Sequence, residues 1–506
     1  MDKKKRQIIL LMTDSTRQDM LGCYGNMAMN TPCLDAMAKE GIRYNNVYSC
    51  QPVCGPARSA IFTGIYPHSN GSVANSMPLG ANVKTVGQRL TDNGIHAAYI
   101  GKYHLDGGDY FGLGSCPEGW DADYWYDMKC YLEELTEEER IRSRNSDTNR
   151  KGILPEFTFG HRCADRAVRF LQEYQDEDFF LTVSFDEPHD PGLCPEPYAS
   201  AFADYEFPKS PNVWDTLEGK PDYQKIWAGD SLKADRDALK LKAPYYFGCN
   251  SFADSEIGRI LEKIRQVVPG ALVIYTSDHG DGMQSHCLHA KGPTMYNEIA
   301  RVPMLVCGSG VPQGVVDDQP LSHINLAPLI LEYMGIPIPK LLEGRSMLPA
   351  VYDPQKRING YVVTEFTRYE IDHDGFGGIQ MMRGIFDGRY KLVVHLLDPI
   401  DEFYDQETDP YEMNNLISDD SCYGIKKQLH EELLGWMNCT RDPYRGYQWE
   451  HRPWRKDAGK ACWENAGYTR QRENEEYEPR QLDYVTGLPM KSATRKKGVV
   501  ESGGAK

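Results

Sequence analysis

Short runs of consecutive apolar residues punctuate the chain at positions 8–12, 97–100, 179–185, 272–276 and 302–306. Each is four to seven residues long and lacks polar alternation, which predicts strands covered on both faces. Between them lie helical patterns over 83–93, 160–174 and 243–267. This alternation predicts an α/β architecture, a large mostly parallel or mixed sheet sandwiched by helices. The texture changes after about residue 360, where 381–386 and 390–395 flank Asp387-Gly388-Arg389, a hairpin signal. The reading is therefore a catalytic-size α/β domain over 1–360, a smaller C-terminal antiparallel sheet plus helix over 361–440, and an extended arm or tail over 441–506. Ligands of such sheets gather at the carboxyl ends of the strands. Asp14 follows the first run, Lys102 and His104 the second, His189 the third, and Asp278 with His279 the fourth, so four distant segments are expected to converge on one edge.

Composition narrows the possible partners. Of 506 residues, 56 are Lys or Arg and 73 are Asp or Glu, a formal charge of −17. That excludes a general nucleic-acid binder, whose affinity comes from neutralising phosphates. An anionic ligand must instead meet locally concentrated positive charge. No uninterrupted apolar stretch approaches the roughly 18 residues that suggest a membrane span. The apolar run near the N-terminus is too short for a signal-peptide core, and the 14 cysteines include no CxxC pair. Reduced thiols and a cytoplasmic location are the expectation. Arginines and aromatics interleave over 441–454, which suits a sugar, a neighbouring subunit or a packed surface strap, and homo-oligomerisation stays open.

The residues with most chemistry form known constellations. Cys54-Gly55-Pro56-Ala57-Arg58, continued to Thr63-Gly64, resembles the CxPxR signature of type I sulfatases. Alone it would be a thiol at a proline-containing helix start. Met12-Thr13-Asp14-Ser15 is similar to the sulfatase opening in which acids after the first strand bind a divalent metal. An oxygen ligand there suits a hard cation. The usual pattern has two adjacent acids or an acid and an amide. With Ser15 in the second place, either one anionic ligand is missing or the hydroxyl supplies a neutral oxygen. Thr276-Ser277-Asp278-His279-Gly280-Asp281 is similar to the family's later metal motif, and the segment from Cys287 through Lys291 to Glu298 resembles its lysine segment. Gly101-Lys102-Tyr103-His104 resembles GKxH, and Pro188-His189-Asp190-Pro191 resembles PHxP. Each short motif is an ordinary loop by itself. Their joint occurrence at successive strand ends carries the resemblance, which spans roughly residues 7–417. His286 and Asp281 fall beside these motifs.

The resemblance implies an alkaline phosphatase-like fold and hydrolysis of a sulfate monoester to an alcohol and inorganic sulfate. It implies oxidation of Cys54 to formylglycine by a transiently bound formylglycine-generating maturase, and one divalent cation, Ca²⁺, on Asp14, Ser15, residue 54, Asp278 and His279. The catalytic set it implies is Cys54, Arg58, Lys102, His104, His189 and Lys291. In that scheme one hydroxyl of the hydrated aldehyde, activated by the metal and Asp278, attacks sulfur. The alcohol leaves with a proton or hydrogen bond from His189 or Lys291, and the second hydroxyl loses its proton to His104. Among sulfated small molecules and glycans, a carbohydrate is favoured because the aromatic loops and the long C-terminal extension leave room for sugar subsites. The alternatives are a formylglycine-dependent phosphonate monoester or phosphodiester hydrolase, a simple arylsulfatase, a choline sulfatase, or a glycan-binding protein without activity.

Overall fold

The computed structural model describes residues 5–370, 379–458 and 487. Eight strands, β1 (Gln7–Thr13), β2 (Gly41–Tyr48), β3 (His96–Gly101), β4 (Phe179–Ser184), β5 (Leu272–Ser277), β6 (Arg301–Cys307), β7 (Val315–Asp317) and β8 (Leu321–Ser322), form one sheet. Its order is β3-β4-β1-β5-β6-β2-β7, with β8 also on β2. All pairs are parallel except those of β6, which runs against both β5 and β2. The sheet is thus mostly parallel with a single reversed strand, within the mostly parallel or mixed arrangement expected.

Central β1, Gln-Ile-Ile-Leu-Leu-Met-Thr, is buried along its whole length. Its alternate side chains feed two cores, since successive strand residues point to opposite faces. Ile8, Leu10 and Met12 pack with Phe62, Trp120 and Leu329. Ile9 and Leu11 pack with Phe170, Ile257 and Ile260. Helices Cys54–Thr63 and Leu326–Met334 therefore cover one face, and Phe159–Glu173 and Pro244–Val267 the other. The pattern over 83–93 becomes a shorter helix, Val86–Thr91, because the Thr85 and Gln88 side chains form a reciprocal cap at its start.

Strand β2 lacks a continuous apolar signal. Asn45 and Asn46 interrupt it, and its register against β6 shifts between Tyr44 and Val47. The Asn45 amide instead donates to the Asp318 carboxylate at 2.7 Å.

A second, antiparallel sheet has the order β12-β11-β10-β9, built from β9 (Val362–Arg368), β10 (Ile379–Phe386), β11 (Tyr390–His395) and β12 (Glu402–Asp405). Its hairpin turns where expected, with Gly388 at φ 106° and the Asp387 carboxylate accepting from the backbone N–H groups of Arg389 and Tyr390. Tyr48, Val53 and Met295 of the larger unit pack against Phe366, Met382 and Phe386 of this sheet. Helix Tyr423–Cys439 lies on it through Leu429, Leu433 and Met437.

The arginine- and aromatic-rich stretch over 441–454 is a packed strap. Trp449 is buried, the Arg452 guanidinium holds the Asp401 carboxylate at 2.8 Å, and the Trp454 indole donates to the same carboxylate. Beyond residue 458 the predicted arm lies outside the described residues, apart from position 487. Among the described residues no helix is long and apolar enough to cross a membrane.

Candidate active site

Parallel pairing aligns the strand ends that carry the chemistry. Met12 and Gly101 both stand opposite Ser184, and Thr13 stands opposite Ser277. The residues that follow each strand therefore emerge at one level of one edge. Gly101, at φ 115°, turns the chain toward this edge. A Cβ there would lie 1.9 Å from the Ser184 carbonyl oxygen, so glycine is required.

Cys54 opens helix Cys54–Thr63, all ten residues of which are buried. At 3.6 residues per turn, Arg58 lies one turn on and faces the same way. Its guanidinium donates to Asp278 at 3.0 Å and Asp14 at 3.2 Å, and also to the Lys102 carbonyl and the Ser184 hydroxyl, each at 2.6 Å. Cys54 Sγ lies 3.2 Å from His279 Nε2 and 3.8 Å from Asp14 Oδ1, and accepts from Lys291 Nζ at 3.0 Å. Lys102 Nζ pairs with Asp14 at 2.9 Å and with Asp186 at 3.1 Å. Three buried cations therefore surround residue 54 and two carboxylates in an otherwise acidic protein.

These charges set the protonation states. Burial would raise the Asp14 carboxyl, but Lys102, His189 and Lys291 hold it well below the usual carboxylate range. Asp278 is raised by burial and by Asp14 beside it. Burial and Asp14 push the Cys54 thiol up, yet Lys291, Lys102 and His279 overcome them and hold it well below its usual value. Burial, Lys102 and Arg58 depress His104 to about 3, which leaves it neutral. His189 is lowered by burial, Lys102 and Lys291.

The donor set suits a cation. One ligand atom from each of Asp14, Cys54, Asp278 and His279 lies within 4.8 Å of the others, and all four residues are buried. His279 Nδ1 lies 2.8 Å from the Gly280 carbonyl, so Nδ1 carries a hydrogen and Nε2 is the ring atom that faces the cluster. Ser15, at φ 66°, donates its hydroxyl to Asp14 Oδ1 at 2.8 Å, and its backbone N–H donates to Asp278. It braces both carboxylates.

The structure thus brings Asp14, Ser15, Cys54, Arg58, Lys102, Asp278, His279 and Lys291 into direct contact. His104 is buried beside them, with a carbonyl 3.4 Å from the position a Cβ on Gly55 would take. His189 is half-buried at the rim, its ring tilted against Tyr110. His286 goes elsewhere. A run of positive φ from Met283 to Cys287, broken only at Ser285, swings it onto Tyr296, with Nδ1 2.6 Å from the Asp215 carboxylate. Asp281 caps the same turn by accepting from the Met283 N–H. A second group of possible ligands, His286, Glu298 and Glu412, is paired internally through Asn212 and Lys391.

Sequence reasoning did not single out Asp186, Tyr110 or Asn75, whose side chain accepts from the Gly55 N–H at 2.9 Å. Asp186 stands two residues past the end of β4, a position that could have flagged it. Tyr110 and Asn75 have no motif of their own.

A parallel-centred sheet with helices on both faces and a buried, metal-competent acidic cluster at its edge is the arrangement of the alkaline phosphatase superfamily, to which the chain belongs. Within it, the chain belongs to the sulfatase family of sulfuric ester hydrolases: the family model "Sulfatase" matches residues 6–336, and "N-sulphoglucosamine sulphohydrolase, C-terminal" matches 286–438. The chain is 42% identical over 496 residues to "Uncharacterized sulfatase YidJ" of Escherichia coli (strain K12), with 96% of this chain and 97% of that protein covered. A solved structure of a protein in complex with its substrate D-glucosamine-2-N,6-O-disulfate superposes with a TM-score of 0.71 at 22% identity, covering 90% of this chain and 100% of that one. The phosphonate monoester hydrolase of Agrobacterium radiobacter superposes with a TM-score of 0.69 at 22% identity, covering 86% and 96%.

Proposed function

We propose that this sulfatase hydrolyses a carbohydrate O-sulfate, with Cys54 oxidised to formylglycine and Ca²⁺ held by Asp14, Asp278 and His279 next to it. The observation that carries this reading is the setting of residue 54, on the first turn of a buried helix, in contact with Lys291, His279 and Asp14. The sugar assignment is supported by the structural neighbour bound to a sulfated glucosamine.

A sulfate ester repels nucleophiles through its own oxygens, so positive charge aimed at them lowers the barrier. A bound cation supplies part of that charge and makes a hydroxyl on residue 54 easier to deprotonate. The chain's own residues do the rest. Lys102 and Lys291 meet the sulfuryl oxygens, and Arg58 fixes Asp14 and Asp278 so that their oxygens point toward residue 54. His189 at the rim gives a proton to the departing alcohol. Neutral His104 takes the proton whose loss releases sulfate.

The test is production with and without a formylglycine-generating maturase, followed by sulfate release from a panel of sulfated glucosamines. The matured peptide should be lighter than the cysteine form by about 18 Da, since SH₂ is replaced by O. Turnover should rise with the modified fraction, vanish in Cys54→Ala, and fall on exhaustive chelation. Matured protein that cleaves phosphonate monoesters but none of the sulfated sugars would overturn the reading in favour of the neighbour's chemistry.

A further inference from the structure

We infer that Tyr110 and Asp186 act together as positioning residues, which aim His189 at the leaving group and hold Lys102 over the sulfuryl group. The inference rests on the proposed proton-donor role of His189. Tyr110 sits in the loop after the Gly101-to-His104 motif and Asp186 just beyond β4, so the two meet across adjacent strand ends.

One tyrosine ring touches every member of this corner. Its hydroxyl donates to Asp186 Oδ2, and Asp186 Oδ1 lies 3.1 Å from Lys102 Nζ. The same ammonium stands 4.1 Å from the centre of the Tyr110 ring, within the range of a cation–π contact. The Tyr110 oxygen also lies 3.4 Å from His189 Nδ1, and the two rings are 5.1 Å apart.

The hydrogen bonds have a fixed sense. His189 Nδ1 lies 3.0 Å from the Asp190 carbonyl, which only accepts, so Nδ1 carries the hydrogen. With its own hydrogen given to Asp186, the Tyr110 oxygen presents a lone pair as a second acceptor for that N–H. Both contacts fix the ring with Nε2 free for the alcohol. They also place an acceptor backed by a carboxylate against a ring that must carry positive charge before it can donate. This matters because Lys102 and Lys291 oppose that charge. The Arg144 guanidinium also stands over the Tyr110 ring, 5.0 Å from its centre.

Tyr110→Phe keeps the ring beneath Lys102 and removes only the hydroxyl. On a sulfated sugar, whose alcohol is strongly basic, kcat should fall about tenfold, the worth of one hydrogen bond to a charged group. On nitrophenyl sulfate, which needs little protonation, kcat should stay within about threefold, and KM should hold on both. Across a series of aryl sulfates the rate should therefore depend more steeply on leaving-group basicity than in the parent. Asp186→Asn gives an independent reading. It keeps an acceptor for Tyr110 and removes the charge from Lys102, so it should raise KM on every substrate and steepen the same dependence. Equal losses on both substrates, or none, in Tyr110→Phe would overturn the inference. If that variant does not fold, an unchanged leaving-group dependence in Asp186→Asn does so. His189→Ala separates the two levels: an unchanged dependence there removes the proton-donor role itself, whereas a steepened one with an unaltered Tyr110→Phe removes only the positioning role.

Discussion

Individual side chains at this edge divide their work by what they face. Lys102 is pinned between Asp14 and Asp186, and in the proposed reaction its charge meets the sulfuryl oxygens. His189 is only half-buried, and in the proposed reaction it faces the departing alcohol. His189→Ala should therefore lose much more kcat/KM on a sulfated sugar than on an activated aryl sulfate, with a difference of roughly 10² to 10⁴, the range of general acid catalysis. Lys102→Ala should depress both substrates alike, because its contact is needed whichever alcohol leaves. Steady-state kinetics of both variants on both substrates decide the assignment. A uniform loss in His189→Ala shifts the donor role to Lys291.

At the scale of elements, a buried carboxyl tethers a helix to the sheet edge. Glu187 follows β4, and its carboxylate oxygen accepts from the Gly160 N–H near the start of helix Phe159–Glu173. Burial, with Asp186 adding to it, pushes the Glu187 carboxyl up to about 8. In the unfolded chain the same group titrates near 4.3. Between those values the folded protein keeps a proton that the unfolded chain has released, so this residue's contribution is complete at low pH and is lost as pH rises toward 8. Glu187→Gln preserves the acceptor and removes the titration. Its melting temperature should gain on the parent steadily from about pH 5 to pH 8, corresponding to a few kcal/mol at most. Parallel melting curves over that range would refute the claim.

For the whole molecule, the two sheets are joined by more than apolar packing. Arg383 on β10 is fully buried, and its guanidinium pairs with Asp442 of the strap at 2.7 Å and with Glu365 on β9 at 3.8 Å. Glu365 in turn holds the His68 ring and the His68 N–H from the larger unit. Removing one member of a buried network leaves uncompensated charge, which costs more than the network contributes relative to an apolar replacement. Arg383→Met should lower unfolding stability by about 3–5 kcal/mol in chemical denaturation. A change below about 1 kcal/mol would mean that the apolar contacts of Tyr48, Met295 and Phe386 hold the sheets together without it.

Strands β1, β3, β4 and β5 were legible in the sequence because a strand buried on both faces must be apolar throughout, and so was the β10–β11 turn, because its backbone demands Asp and Gly. The one-turn spacing of Cys54 and Arg58, and the acids and bases just beyond strand ends, were legible for a similar reason, since local geometry dictates local spacing. Strand β2 was hidden because Asn45 and Asn46 are paid for by a register shift and a contact with Asp318, 273 residues away from Asn45. His286 looked like part of the site by sequence proximity, but its backbone conformation carries it to Asp215. Tyr110 was invisible, since a tyrosine in a glycine-rich loop says nothing until folding sets it against Asp186, 76 residues further on. Residue types and short spacings follow from the chain's own stereochemistry and can be read along it. Which carboxylate restrains which cation is decided by strand order and packing, where side chains remote in sequence compete for the same few ångströms of space.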